Sequence, residues 1–203
     1  MTHMGEHLGY LWEIRWYIFV NSLVFVTSVF VGYYHADYNP SVEKMIVESF
    51  QERVENILGI VPSNSLLYPL LISIMIFANN SFVSLLSMFS SLLPPFFLSP
   101  PLLLSVNGYV VGVVVHSTHS PLLAILSILP HGILEVPMVI FAVSMGTKIG
   151  VEVVKYIVGK KSEVRKNIIR SARTFVFLLL PLLLFAAFIE VFISSALAYI
   201  LGV

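Results

Sequence analysis

Residues 14–34 read IRWYIFVNSLVFVTSVFVGYY. A bilayer-spanning helix needs about 20 predominantly apolar residues, and here only Arg15 and Asn21 interrupt the run. Trp12, Trp16, Tyr17, Tyr33 and Tyr34 bracket it, as amphipathic rings do at the two membrane–water boundaries. The segment is therefore predicted to cross a membrane. It is preceded by MTHMGEHLGYLWE, which lacks the basic start and small-residue cleavage site of a signal peptide, so this first span is expected to stay as an anchor.

The rest of the chain agrees with that start. Of 203 residues, 58% are hydrophobic and 11% charged, against roughly 25% charged in a soluble domain. Mean hydropathy is +0.93, and so few polar side chains cannot coat a water-soluble globule. The lipid bilayer is the expected partner for much of the surface. Formal net charge is zero, so bulk charge points to no nucleic-acid partner. With no cysteine, disulfides, thiolate metal sites and cysteine nucleophiles are all excluded.

Four further spans are predicted. The second is Leu66 to Leu93, with Asn79, Asn80 and Ser81 near its centre. PPFFLSPP follows at Pro94 to Pro101; paired prolines remove backbone donors and bias their neighbours away from helix, predicting a short irregular or re-entrant connection. The third span, Leu102 to Ser117, would reach only about 24 Å, short of a hydrocarbon core of about 30 Å, so the proline segment or local thinning must help it. The fourth runs from Pro121 to Gly150 and contains Pro130 and Pro137; the fifth runs from Thr174 to Leu201 and contains Pro181. Each internal proline frees a carbonyl that must find another partner in lipid, which points to broken helices. The predicted fold is thus all-α, a polytopic transmembrane bundle of about five spans forming one integral domain, 1–203.

Two stretches outside the spans carry most of the charge. Between Asn39-Pro40, a helix-start signal, and Gly59, a stop, Val42, Met45, Ile46, Phe50, Val54, Ile57 and Leu58 form one face and Glu43, Glu48, Glu52 and Glu55 the other. Loop 35–64 therefore holds an amphipathic helix, better read as packed on its own protein than on anionic lipid, which an acidic face suits poorly. Eight of the eleven Lys and Arg lie between Lys148 and Arg173, so the basic loop 150–173 is expected to be cytoplasmic. With five spans this puts the chain in the cell membrane, N-terminus inside, the acidic helix and C-terminus outside. The basic cluster also suits anionic headgroups.

Polar residues fall near the middle of four spans: Asn80, Asn107, the His131/Glu135 pair and Glu190. A carboxylate at that depth is costly and normally faces the bundle interior with a partner. His131 and Glu135, four apart, share a helix face, so the carboxylate could orient the imidazole and leave its other nitrogen for a proton, a ligand or a metal. The plainest role for the group is structural hydrogen bonding between helices; an ion, proton or solute site comes next, and a metal at His131 and Glu135 after that. No cofactor is predicted. HxxxE lacks the HExxH arrangement, and no serine sits in a GxSxG elbow.

Gly108 and Gly112 form one GxxxG and Gly146 and Gly150 another. Each is most simply an intramolecular packing face, although together they suggest a homodimer. His116 and His119 lie three apart at the outer end of the third span, and interfacial solvation is favoured over metal binding.

FANNSFVSL (Phe77 to Leu85), NGYVVG (Asn107 to Gly112) and LPHGILEVPMVIFAVSMGTKIG (Leu129 to Gly150), in that order, resemble the integral-membrane family of stage II sporulation protein M. PHGxxE, which includes Gly132, is the most specific element, and the resemblance extends from about Leu66 to Gly202, with weaker similarity through the first span. It maps the family pattern onto Asn80, Asn107, Gly108, His131, Gly132 and Glu135 and carries no catalytic role. What it implies is a membrane scaffold: sporulating members are regarded as scaffolds for a cell-wall-degrading engulfment complex, with membrane or cell-envelope proteins as partners. The alternatives are a transporter or channel-like protein built on discontinuous helices around the mid-membrane site, and an intramembrane metal-dependent enzyme.

Overall fold

The computed structural model describes the backbone of residues 3–59, 68–118 and 121–201 and the side chains of 5–49, 51–52, 68–118 and 134–192. In chain order the helices are α1 (His3–Glu13), α2 (Arg15–Tyr38), α3 (Pro40–Gly59), α4 (Tyr68–Phe89), α5 (Ser99–Ser117), α6 (Pro121–Ile157), α7 (Val164–Thr174) and α8 (Leu180–Leu201). Among the described residues five stretches are long and apolar enough to cross a membrane: Arg15–Tyr38, Tyr68–Leu92, Phe96–Ser117, Leu134–Ile157 and Val164–Phe192. The all-α, five-span expectation holds.

α6 is the central element. It touches α2, α4, α5, α7 and α8, and Met138, Ile140, Ala142, Val143, Met145 and Ile149 are all buried on it. α2 is the most peripheral span, with Trp16, Phe19, Val20, Leu23, Val26, Phe30 and Val31 exposed as a lipid-facing surface. It is held mainly by α5. Gly108 meets Phe25 and Ser28, Gly112 meets Val29 and Tyr33, and Gly32 meets Tyr109, so the two helices run parallel with backbones in contact. The second glycine pair packs internally too, Gly146 against Met88 and Gly150 against Phe96 and Phe97. Both glycine faces are thus filled within one chain and supply no argument for a homodimer. Gly132 lies within α6, but what packs against it is outside the described residues.

Two boundaries differ from expectation and one agrees with it. Of the two forms expected for the proline segment the short irregular one is found: two 3-10 turns, Ser90–Leu92 and Phe96–Leu98, flank a cis Pro94–Pro95 bond and reverse the chain between α4 and α5. Pro100 and Pro101 fall inside the first turn of α5, where a missing N–H costs nothing, and this lengthens the third span as its reach required. The fourth span is not broken, because α6 is continuous through Pro130 and Pro137. One proline deletes one hydrogen bond, whereas opening the helix in lipid would strand several backbone groups. α6 also runs past Gly150 to Ile157, and Gly159, at φ +71°, turns the chain as a glycine after a helix C-terminus does. The basic loop 150–173 is therefore mostly helix, with only 158–163 between α6 and α7. Ahead of Pro181, Phe175–Leu179 is a π-helical turn joining α7 to α8, a local widening that absorbs the backbone mismatch at a proline.

Candidate functional site

The mid-membrane residues sit on α4, α6 and α8, which pack on one another. Glu135 is 3% exposed. Counting back from the Met88–Gly146 contact at 1.5 Å per residue places Glu135 about 16 Å and Asn80 about 12 Å from it along parallel helices, within one helical turn in depth. Glu190 is partly buried on α8. Asn107 does not join them: it is exposed, because Gly108 faces α2 and the position before it is carried round to the outer surface. The side chain of His131 lies outside the described residues, so its pairing with Glu135 does too. Among the described residues no group of three or more His, Asp or Glu could hold a metal.

Two features of α4 bear on this region. Ser22, Ser28, Ser73, Ser144 and Thr147 each donate to the carbonyl four residues back, the usual way a helix hides a hydroxyl in lipid. Ser81 and Ser84 do not. Their buried Oγ atoms and the Asn80 Nδ2 have no hydrogen-bond partner among the described residues. By contrast Asn21, 1% exposed, donates from Nδ2 to Ser144 Oγ at 3.1 Å and Thr147 Oγ1 at 3.3 Å. In sequence Asn21 is only an interruption of an apolar run; the hydroxyls at i and i+3 on α6 are the signal that would have matched it.

At one end of the bundle the basic segment is neutralised in part by carboxylates that hydropathy does not single out. Glu152, 4% exposed, accepts from Lys155 Nζ at 2.7 Å, Lys148 Nζ at 3.3 Å and the Glu163 backbone N–H at 2.8 Å, fastening the α6–α7 turn. α1 lies on α7: Arg170 donates to Glu13 at 2.7 Å and stands 4.4 Å over the Tyr10 ring, the Tyr10 and Ser171 hydroxyls are 2.8 Å apart, and His7 Nδ1 is 3.1 Å from Thr174 Oγ1. Burial pushes the Tyr10 phenol above its ordinary value, against the opposing pull of Ser171 and Arg170. α1 and the basic segment thus share one end, as the four spans between them require.

The opposite end is organised by His116. Its Nδ1 is 3.1 Å from Glu43 Oε1 on α3, its Nε2 is 3.7 Å from Asp37 Oδ1 near the end of α2, and Tyr33 packs edge-on at 5.1 Å. His35 and Tyr109 are hydrogen-bonded between α2 and α5. His116 is therefore no freely solvated imidazole; it ties three helices, because α3 folds back over α5 in a way that spacing along the chain does not reveal. His119 lies outside the described residues. α3 spans Pro40–Gly59 as predicted, and the Asn39 carbonyl accepts from Val42 and Glu43 N–H to start it.

Comparison with known proteins gives one finding. No curated protein and no solved structure matches the chain, while the family model described as stage II sporulation protein M matches residues 21–195. The match opens inside α2 and closes inside α8, so it takes in α3 and the first span as well as the motif-bearing helices. The chain belongs to the stage II sporulation protein M family.

Proposed function

We propose that the chain is a non-enzymatic membrane scaffold whose bundle holds α3 in a fixed position for envelope proteins to assemble on. One observation carries this reading: α3 is tethered to α5 and the end of α2 through Glu43, His116 and Asp37, while Met45, Glu48 and Glu52 remain exposed. A pre-positioned helix forfeits little entropy when a partner binds. Charge asymmetry supports α3 outside the cell and α7 in the cytoplasm, and the family resemblance implies the same class of role. The test is photo-crosslinking in cells from Glu48 and Glu52 of α3, with Leu23 on the lipid face of α2 as the control. The α3 positions should give discrete protein adducts, lost in a Glu48→Lys/Glu52→Lys variant that still inserts. Adducts equally strong at Leu23, or none at α3, would overturn the reading.

A second reading, a solute or ion site within the membrane, is favoured by the buried Ser81, Ser84 and Asn80 polar atoms on α4, since such groups in lipid mark pathways as often as packing. Proteoliposomes separate the two. Solute or ion flux abolished by Glu135→Gln or Ser84→Ala in a folded protein would replace the scaffold with a transporter; normal function of both variants without flux leaves the scaffold standing.

A further inference from the structure

We infer that the basic cleft along α7 is a binding site for the phosphate headgroup of an anionic lipid. The cleft is shallow and open, with a volume of about 610 Å³, and is lined by residues 162–166 with Ile169, Arg170 and Arg173. Four of its side chains are cationic: Arg165, Lys166, Arg170 and Arg173. Two of them are already compensated, Lys166 by Glu163 at 3.0 Å and Arg170 by Glu13 at 2.7 Å. Arg165 and Arg173 make no ion pair among the described residues, and both are exposed. They lie eight residues apart, about 80° round the helix, and both line the cleft. Two guanidinium groups left over on one wall of a cleft present the forked donors that match phosphate oxygens.

Position along the membrane normal points the same way. The fifth span with its α7 extension, Val164–Phe192, has 29 residues and measures about 43 Å, longer than a hydrocarbon core of about 30 Å. The excess must stand among the headgroups, and the charged end is α7. Arg173 is one residue from Thr174, where the apolar stretch begins, and Arg165 lies about 12 Å further out at 1.5 Å per residue. What selects a lipid over a free anion is the apolar track below the arginines. Ile169 is 41% exposed inside the cleft, and Val176 and Phe177, 49% and 66% exposed, follow Arg173 into the membrane. A headgroup in the cleft would lay its acyl chains along them.

The experiment uses the full chain in nanodiscs of phosphatidylcholine, with or without phosphatidylglycerol, and reads retained phosphatidylglycerol by native mass spectrometry beside the melting temperature. At about 1 kcal/mol per basic residue near a surface, Arg165→Gln and Arg173→Gln should each weaken retention about fivefold and the double variant about thirtyfold. Melting in pure phosphatidylcholine should stay at the wild-type value. Should the double variant fail to fold, the single variants carry the test at fivefold each. Lys160→Gln/Lys161→Gln removes the same charge just outside the cleft; a loss as large as that of the arginine pair would show a diffuse field and overturn the site. Inorganic phosphate that stabilises the protein in phosphatidylcholine as well as phosphatidylglycerol does would make it a small-anion site and overturn the lipid assignment.

Discussion

Gly112→Ala should cost about 2 kcal/mol, a large effect for one methyl group. A Cβ at Gly112 would collide with the Val29 carbonyl oxygen and stand 2.8 Å from the Tyr33 nitrogen and 2.9 Å from the Val29 carbonyl carbon. All three are backbone atoms, which cannot rotate aside as a side chain can, so α2 and α5 must move apart. Forcing extra volume into a close contact costs about 1–3 kcal/mol. α2 has few other holds on the bundle, chiefly Asn21 on α6, so there is little to keep it in place while it shifts. At about 2–4 °C per kcal/mol for a chain of this length, the melting temperature should fall by about 4–8 °C. Gly9→Ala is the internal control. A Cβ there meets nothing within 4 Å, and replacing a glycine inside a helix should be neutral or stabilising by up to about 1 kcal/mol. Thermal unfolding of wild type and both variants in one detergent decides the matter: equal melting of Gly112→Ala and Gly9→Ala would refute the tight α2–α5 contact.

Asn21→Leu should lower stability by only about 0.6–1.7 kcal/mol, the range for interhelical hydrogen bonds in membranes. The cost stays small because Ser144 and Thr147 keep their bonds to the Ile140 and Val143 carbonyls, and a loss above about 3 kcal/mol in a denaturation titration would contradict this. Glu152→Gln should destabilise by about 1–2 kcal/mol, less than the about 3–5 of a fully buried pair because Lys155 reaches water. Faster proteolysis within 158–163 is the readout, and unchanged cleavage would mean that the carboxylate does not fasten the turn. In this cysteine-free chain, Ser162→Cys should stay unlabelled by an impermeant thiol reagent on intact cells; labelling would reverse the orientation.

Which segments enter the bilayer was legible from residue order. Transfer into hydrocarbon is a free energy summed along a local stretch, so Ile14 to Tyr34 and its four successors stand out one by one, and α3 shows itself by the periodicity of its two faces. The concentration of Lys and Arg after Lys148 is likewise a property of the chain alone. How the spans meet is a different matter, since every lipid-facing surface is apolar and nothing in a single helix says which neighbour will cover it. That depends on shape and on a few polar bonds between distant residues. Gly108 and Gly112 read most simply as an internal packing face, but residue order alone left self-association open and did not name α2 as the surface they fill. Asn107 and Asn80 look alike in sequence, yet one faces outward and the other inward, because the glycine beside Asn107 is turned toward α2. Glu152, Glu13 and Glu43 lie among ordinary surface charges, and only the fold-back of the turn after α6, of α1 onto α7 and of α3 onto α5 makes them fastenings. Pro130 and Pro137 read as breaks, yet the helix persists through them, because in lipid the lost bonds of an opened backbone outweigh the two that proline removes.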